Sequence, residues 1–522
     1  MSAVTTALRG RLADERGFTM LATIGVMFVT SMLLTAAFVA ATGDSHSSFR
    51  DTSSKQAYYA AIAGIQQYEY ELQANPDYWQ TCKAPSATLP EESNERYEIK
   101  LLPAKGATEC STTSPFTSMI ESTGSVANTF RIESTGYAGS ASRAVVATFE
   151  VAGFLDYIYF TNYEQGDPKI FESTKAEQEK CEGKYYSVWQ PAGGNCQKIE
   201  FATGDSVNGP MHTNDAADVG GSATFGREGH TPKDVVEING GTYPNANCKE
   251  MSAKFYTASG CYSKGITMPP PENDTSLGFY VEGENTFEGV TYLELKGSEG
   301  AEGKIAAKWW NKEGKEETKT INWPKNGLIY VKENPNVSCT FEFKNSNADE
   351  RSESETEKGC GTVYVKGTYK KSLTIAGEDE LVINGELYPT NVASTLGSAP
   401  SGTATLGLIA SKYVRIYHEC TGGNNGTSLE NPWIYAAILS TAHSFIVDHY
   451  DCGAQLGKLH IYGAIAQNYR GTVGTGGGFG GSTGYLKDYK YDERLATEEP
   501  PYYLAPLKAG WKIGRLTAPS AG

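Results

Sequence analysis

The sequence has no block of basic residues, and its 45 Lys and Arg are outnumbered by 61 Asp and Glu, giving a formal net charge of −16. Because nucleic-acid binding requires clustered cations against phosphates, this balance argues against a nucleic-acid partner. Charged residues are only 20% of the 522, and Met is scarce at 8. This composition excludes a coiled coil, a collagen and a disordered chain. Gly and Tyr are abundant instead, at 57 and 32, and favour a turn-rich β protein.

Signals of common enzyme sites are also missing, because H-E-x-x-H and S-x-x-K do not occur. The glycine-rich run at 471–484 lacks the Gly-Lys-Ser/Thr that meets phosphates and is interpreted as a loop. His443 and His449 would share one strand face, but Asp448 would point away from them. Asp448 and Asp451 would be the carboxylates of a polysaccharide enzyme, although nothing distinguishes them from strand-end acids. We predict no enzyme, with no catalytic residue, cofactor or metal.

No charged residue occurs between Arg16 and Asp44. The apolar run within it, 18–42, would form a helix of about 37 Å, enough to cross a hydrocarbon core of about 30 Å. Arginines precede the run, so the positive-inside rule leaves the N-terminus cytoplasmic and the long C-terminal part outside. A plain anchor remains open, as does a secretory signal cleaved near Val39 and Ala41.

In the string ERGFTML, Gly17 directly precedes Phe18 where the apolar run begins. This resembles the leader of type IV pilins and pseudopilins. The resemblance implies that a prepilin peptidase cuts after Gly17 and that the new amine of Phe18 is methylated. Major pilins carry Glu at the fifth mature position, where this chain has Ala22. The absence of that charge favours a minor or tip-located subunit.

Apolar positions at helical spacing continue beyond the run, at Tyr58, Ile62, Ile65 and Leu72. The alanine-rich segment around Ala61, Ala63 and Gly64 brings the resemblance closest to PilX-like minor pilins. A membrane helix that continues into an amphipathic helix, packed on a small sheet, is what such a protein implies.

The ten cysteines fall into neighbour pairs whose internal spacings are all shorter than the gaps between pairs. Because none precedes residue 82, all lie on the predicted oxidising side, and disulfides are favoured over metal. The simplest connectivity, which sequence alone does not fix, is Cys82–Cys110, Cys181–Cys196, Cys248–Cys261, Cys339–Cys360 and Cys420–Cys452.

Period-two alternation between about 94 and 164 predicts an antiparallel meander, and short apolar strands punctuated by turns recur beyond it. The predicted fold is mainly β with one long N-terminal α-helix: a pilin-like α+β head, then a right-handed parallel β-helix, or β-solenoid, with a β-sandwich as the alternative. The predicted domains are 1–17 (leader), 18–73 (transmembrane and amphipathic helix), 74–164 (antiparallel sheet) and 165–522 (solenoid).

The sequence thus predicts a minor type IV pilin-like subunit, membrane-anchored before it takes part in pilus assembly or surface adhesion. The expected partners are the inner membrane, the prepilin peptidase, other pilin subunits and a surface ligand or carbohydrate. Exposed Trp309, Trp310 and Trp323 would be candidates for stacking on a sugar. An anchored β-helix adhesin or structural protein is the alternative, and an anchored polysaccharide enzyme is the less favoured one.

Overall fold

The computed structural model describes residues 18–89, 94–121, 129–185, 196–311, 313–344, 357–478, 481–507 and 510–519. The chain divides into two compact units. The first comprises Met1–Val151 with Trp511–Gly522, and the second is Ala152–Gly510. The second unit is therefore an insertion in the first, and its border lies at 151/152 rather than at the predicted 164/165.

The first unit packs a helix on an antiparallel sheet. Helix α1 spans Phe18–Ala74 and a short helix α2 spans Pro115–Met119. The strands are β1 Ser86–Leu89, β2 Glu95–Leu102, β3 Thr129–Ala138, β4 Ala141–Val151 and β30 Trp511–Thr517. They lie in the order β1-β2-β3-β4-β30, with every neighbouring pair antiparallel. The last strand of the chain thus completes a sheet that begins near its N-terminus.

Small residues let α1 approach the sheet closely. Ala57, Ala61 and Gly64 lie on its buried face, and Gly136 of β3 lies opposite. A Cβ on Gly136 would meet the Ala57 carbonyl oxygen at 2.0 Å and the Ala61 nitrogen at 2.3 Å. Tyr68 adds a large ring to the same core, at 0% exposure. The alanine-rich segment around Ala61, Ala63 and Gly64 therefore forms a helix–sheet contact. This contact explains why its residues are small.

The second unit is built mostly from short strands. Helices α3 and α4 span Pro168–Phe171 and Lys175–Cys181. The strands are β5 Tyr159–Gly166, β6 Ser206–Asn208, β7 Met211–Thr213, β8 Ala217–Asp218, β9 Thr224–Phe225, β10 Val236–Ile238, β11 Thr242–Tyr243, β12 Lys254–Phe255, β13 Thr286–Glu288, β14 Thr291–Lys296, β15 Lys304–Trp310, β16 Glu316–Asn322, β17 Leu328–Lys332, β18 Val363–Tyr369, β19 Leu373–Gly377, β20 Leu381–Pro389, β21 Leu406–Ala410, β22 Val414–Ile416, β23 His418–Thr421, β24 Asn424–Ser428, β25 Trp433–Ser440, β26 Phe445–Val447, β27 Gln455–Arg470, β28 Gly474–Gly478 and β29 Gly481–Tyr491.

Most of these strands pair in parallel stacks, but the stacks do not follow chain order. One stack runs β13–β17–β19–β21–β25–β27 and then continues through β5, β7 and β10. The first strands of the unit therefore stack beyond its long late strand, β27. The segment between β12 and β13, residues 256–285, consequently crosses from one end of the stack to the other. We call it the crossing segment.

The crossing segment covers an apolar row that spans the stack. The row comprises Tyr330, Ala376, Ile409, Leu439, Ala466 and Phe160, which are register neighbours in successive strands. Met268 and Leu277 of the crossing segment pack against this row. The opposite face of the strands carries the branched residues of the main core. Because these strands are buried on both faces, their sequences are continuous apolar runs, such as LGLIA at 406–410.

Five disulfides join the ten cysteines: Cys82–Cys110, Cys181–Cys196, Cys248–Cys261, Cys339–Cys360 and Cys420–Cys452. These are the neighbour pairs that the spacing favoured. Each closes a loop of 13 to 32 residues within one unit. Short loops of this kind stabilise mainly by restricting the unfolded chain.

The predicted fold class is wrong. It described a mainly β chain with one long helix, a head and then a solenoid in chain order, whereas the structure has several sheets and an inserted, reordered stack. The long helix is not one packed element either, because its described side chains fall into an unpacked stretch, 22–38, and a stretch that meets the sheet, 50–74. Antiparallel alternation is local in sequence, whereas the order in which parallel strands stack joins distant segments and leaves no local signal. In the described part of the chain, no helix is both long and apolar enough to qualify as a membrane span.

Candidate functional site

The N-terminal part of α1 exposes a dense set of apolar side chains. Ten large apolar residues between Met20 and Phe38 are 55–71% exposed: Met20, Ile24, Val26, Met27, Phe28, Val29, Met32, Leu33, Leu34 and Phe38. A contiguous apolar surface of this kind marks an interaction site in a folded protein. We call residues 22–38 the exposed helix.

Two threonine hydroxyls on the exposed helix form hydrogen bonds within it. The Thr30 hydroxyl donates to the Val26 carbonyl at 2.8 Å, and the Thr35 hydroxyl donates to the Ser31 carbonyl at 2.7 Å. Such bonds to the preceding turn satisfy these two hydroxyls without water. They therefore suit a helix that lies against apolar surroundings.

The predicted processing site lies at the start of α1. Gly17 and the leader 1–17 lie outside the described residues, and Phe18 is the first helical residue. Ala22, at the position where major pilins carry Glu, is exposed on the exposed helix. No charge interrupts that surface.

A second candidate site is a cleft of about 370 Å³ in the inserted unit. Its lining includes Asn162, Tyr163, His443, Asn468 and Tyr469. Tyr163 and Tyr469 stack with ring centroids 4.9 Å apart, and the Tyr469 hydroxyl accepts from the Gly183 nitrogen at 2.8 Å. We call it the histidine cleft.

Asp167 fixes the imidazole of the histidine cleft. The His443 Nδ1 lies 2.7 Å from the Asp167 Oδ2, and the other Asp167 oxygen caps α3 by accepting from the Lys169 nitrogen at 2.9 Å. Because a carboxylate only accepts, Nδ1 is the donor of this hydrogen bond. The Tyr413 ring stacks on His443 at 4.7 Å. Burial, with Asp167 adjacent, raises the pKa of Tyr413 well above its usual value.

Three asparagines connect this cleft to the crossing segment. Asn162 accepts from the Asn214 amide at 2.9 Å and donates to Asn468 at 2.8 Å. Asn214 also holds both backbone groups of Met268, donating to its oxygen and accepting from its nitrogen, each at 3.0 Å. Asn214 belongs to the string VNGPMHTND at 207–215. Its role here is to fasten the crossing segment to the stack.

His212 and Asp215 of that string are also buried and bonded. His212 is 0% exposed, with Nδ1 2.7 Å from Glu237 and Nε2 2.9 Å from Asn214. Asp215 accepts from the backbone nitrogens of Glu164 and Ala216, but burial still raises its pKa to about 8. These groups form a structural network, not an open site.

The acids considered from sequence are not brought together into a site. Asp448 is fully buried and pairs with Arg415 at 3.2 Å, whereas Asp451 is exposed and His449 is buried. Of the described residues, the one group with metal-like geometry is Cys339, Cys360 and Asp379, two of which form a disulfide. The described lining residues of the histidine cleft include neither serine nor cysteine.

Residues 480–484 match the pattern G-x-S-x-G, which in serine hydrolases carries the nucleophile. Its serine, Ser482, lies within strand β29. A nucleophile elbow requires a strand-to-helix turn, which β29 does not provide. Residues 481–484 of the string therefore belong to strand β29, which pairs antiparallel with β28.

The tryptophans proposed to stack on sugar are mostly buried. Trp310 is 6% exposed and packs edge-on to Tyr292, while Trp323 is 5% exposed and donates its indole N–H to the Ser372 oxygen at 3.2 Å. Trp309 packs edge-on to Phe287. The expectation of three exposed tryptophans is wrong because the β15–β16 hairpin turns its apolar residues toward the stack.

No protein-family model matches this chain, and no curated protein matches it. Among solved structures, it is similar to the competence-associated pilin ComZ from Thermus thermophilus, at 12% identity and a TM-score of 0.25, with 89% of this chain and 97% of that chain covered. A TM-score of 0.25 is too low to establish a common fold. A pilin-like function for this chain therefore has to be argued from its own helix and sheet.

Proposed function

We propose that this chain is a minor pilin-like subunit that joins a type IV pilus-related assembly through α1 and displays residues 152–510 outside the cell. The observation that carries this proposal is the division of α1. Its first part leaves ten large apolar side chains exposed, and its later part packs a small-residue face on an antiparallel sheet.

The exposed helix needs an apolar environment. Burying a side chain such as Phe28 or Leu34 is favourable by about 1.5–3 kcal/mol, and ten such groups lie on one short segment. Before assembly the bilayer would supply this burial, and afterwards the helices of neighbouring subunits would do so. The hydroxyl bonds of Thr30 and Thr35 suit both environments.

A minor or tip position is favoured by two features. Ala22 provides no charge to pair with a neighbour's terminal amine. The unit inserted between β4 and β30 is larger than the unit that carries it, which disfavours dense repetition along a thin filament. Assembly priming and surface adhesion are both compatible with such a position.

The test is N-terminal sequencing of the mature protein from its host. We expect the chain to begin at Phe18 with a methylated amine, and Gly17→Val to leave the precursor uncut. Gly10→Val, which makes the same change elsewhere in the leader, is the matched control and should be processed normally.

The alternatives give different termini. A start near Ala41 would indicate a secreted protein, and an intact N-terminus in the wild type would indicate a plain anchor. Either result contradicts the pilin-like proposal and favours the adhesin or structural alternative.

A further inference from the structure

A cavity of about 800 Å³ in the inserted unit lies beside β17 and β19. Its lining includes Lys325, Lys370, Lys371, Asn391 and Ser401. Glu302 is its one acidic lining residue among those described. Three lysines against one carboxylate is a local reversal in a chain whose net charge is −16. We call this cavity the lysine cleft.

Two of its cations have no counter-ion among the residues that the structure describes. Lys371 pairs with Glu302 at 2.6 Å, but Lys325 and Lys370 are exposed and form no ion pair with the described residues. Like charges held around one cavity repel each other, and the nearby acid neutralises only one of them. An anionic ligand would relieve that repulsion.

The walls of the lysine cleft are fixed before any ligand arrives. Arg494 Nη1 donates to the carbonyls of Gly402 and Ala404, at 3.0 and 3.1 Å. Asn391 Nδ2 donates to the Ser401 hydroxyl at 3.0 Å, and the Ser372 hydroxyl donates to the Thr403 carbonyl at 3.2 Å. A prebuilt site of this kind loses less entropy on binding.

An exposed aromatic platform adjoins this cleft. Tyr280 and Tyr502 stack with centroids 5.5 Å apart, and they are 56% and 41% exposed. The cleft-lining Asn326 donates to the Tyr280 carbonyl at 2.8 Å, and the cleft-lining Pro501 directly precedes Tyr502. The platform is therefore continuous with the rim of the cleft.

Tyr502 adopts a strained backbone conformation to reach this position. Its φ is 56°, in the left-handed region that bulky residues rarely occupy. Such strain is found preferentially where a side chain is held for binding. It is an observation independent of the lysines and points to the same surface.

We infer that the lysine cleft binds an acidic polysaccharide, with uronate carboxylates at Lys325 and Lys370 and a sugar ring stacked on Tyr502. The amide of Asn391 and the hydroxyl of Ser401 suit sugar hydroxyls. A single-stranded nucleic acid also combines stacking with negative charge. It fits less well, because nucleic-acid grooves stack successive bases on a series of aromatic side chains, whereas the platform beside this cleft is the single stacked pair Tyr280 and Tyr502.

Titration of the full-length protein by calorimetry tests this inference. The probes are hexamers of galacturonate, of neutral maltose-type glucose and of thymidylate. We expect the galacturonate hexamer to bind most tightly and its affinity to fall as salt is raised. Absence of galacturonate binding, or tighter binding of thymidylate, would overturn the inference.

Matched variants assign the binding to this surface. Lys325→Ala with Lys370→Ala, and separately Tyr502→Ala, should each weaken galacturonate binding about tenfold. The control is Lys254→Ala with Lys264→Ala, which removes the same charge from two exposed lysines outside the cleft. Equal weakening by the control would overturn the assignment. Neither result depends on whether the chain enters a filament, so the pilin-like proposal is tested separately.

Discussion

The two compact units bury apolar side chains by different routes. In the first, one helix lies on five antiparallel strands, and four of those strands follow each other closely in the chain. In the second, parallel strands stack out of chain order and a crossing segment covers one outer face. The first unit depends on small residues at one close contact, whereas the second depends on buried polar groups that hold distant segments together.

These buried polar groups are numerous in the inserted unit. Arg415 pairs with Glu380 at 2.7 Å and Asp448 at 3.2 Å, and all three side chains are at most 4% exposed. Arg470 pairs with Glu164 at 2.8 Å over the ring of Phe201. Such groups specify one arrangement of the strands because any other would leave a charge unpaired.

Arg415→Met should have the largest effect and should destabilise the inserted unit alone. It leaves two buried carboxylates without their cation, a change that costs about 3–5 kcal/mol. Lys371→Met, which breaks the exposed pair with Glu302, is the control and should change stability by less than about 1 kcal/mol. Hydrogen exchange of peptides from β22 and β26 measures the difference. Equal protection in the two variants would contradict the structural role of Arg415.

Gly136→Val should be nearly as damaging, but to the first unit. The new side chain would collide with the backbone of α1, and collisions with backbone cannot be relieved by rotamer changes. We expect a loss of about 3 kcal/mol and detachment of α1 from the sheet. The control is Gly25→Ala on α1, where the added side chain would have open space around it. This substitution should be neutral or slightly stabilising. Hydrogen exchange over β2 and β3 reads out this effect, and unchanged protection there would contradict close packing.

Asp274→Asn should have the smallest effect, and it should depend on pH. Asp274 accepts from the Ser411 hydroxyl at 2.8 Å in the crossing segment, and burial raises its pKa to about 7. The unfolded chain gives up this carboxyl proton at a lower pH than the folded chain does. Stability that is present at pH 4 is therefore lost as pH rises toward 8.

The asparagine variant keeps the hydrogen bond but cannot ionise, so it should raise Tm by a few degrees at pH 8 and leave Tm unchanged at pH 4. Glu282→Gln, an exposed acid of the same segment, is the control. A pH-independent shift in Tm for Asp274→Asn would show that its charge is not the cause.

The sequence predicted the elements that depend on local patterns. Alternation identified β2, β3 and β4, and spacing favoured the five disulfide pairs that the structure contains. It did not reveal that β30 completes the first sheet or that β5 stacks on β27, because both contacts join residues more than 300 positions apart.

The candidate sites were harder to predict for the same reason. His443 was noticed, but its partner Asp167 lies 276 positions away in the chain. The unpaired lysines of the lysine cleft form no sequence cluster, since Lys325 and Lys370 come from separate turns. The HTND segment of the string VNGPMHTND is a sequence signal of the asparagine network, because polar residues of this kind among apolar β-strands indicate buried hydrogen bonds.

The most direct test of the central claim is site-specific photo-crosslinking on α1 in the assembled filament fraction of the host. A photoreactive residue at Phe28, on the exposed helix, should crosslink to other pilin-like subunits. The same residue at Tyr70, which is 63% exposed but lies on the stretch of α1 that meets the sheet, is the matched position and should crosslink far less. Crosslinks from Phe28 to lipid only, or absence of the protein from filaments, would contradict the account.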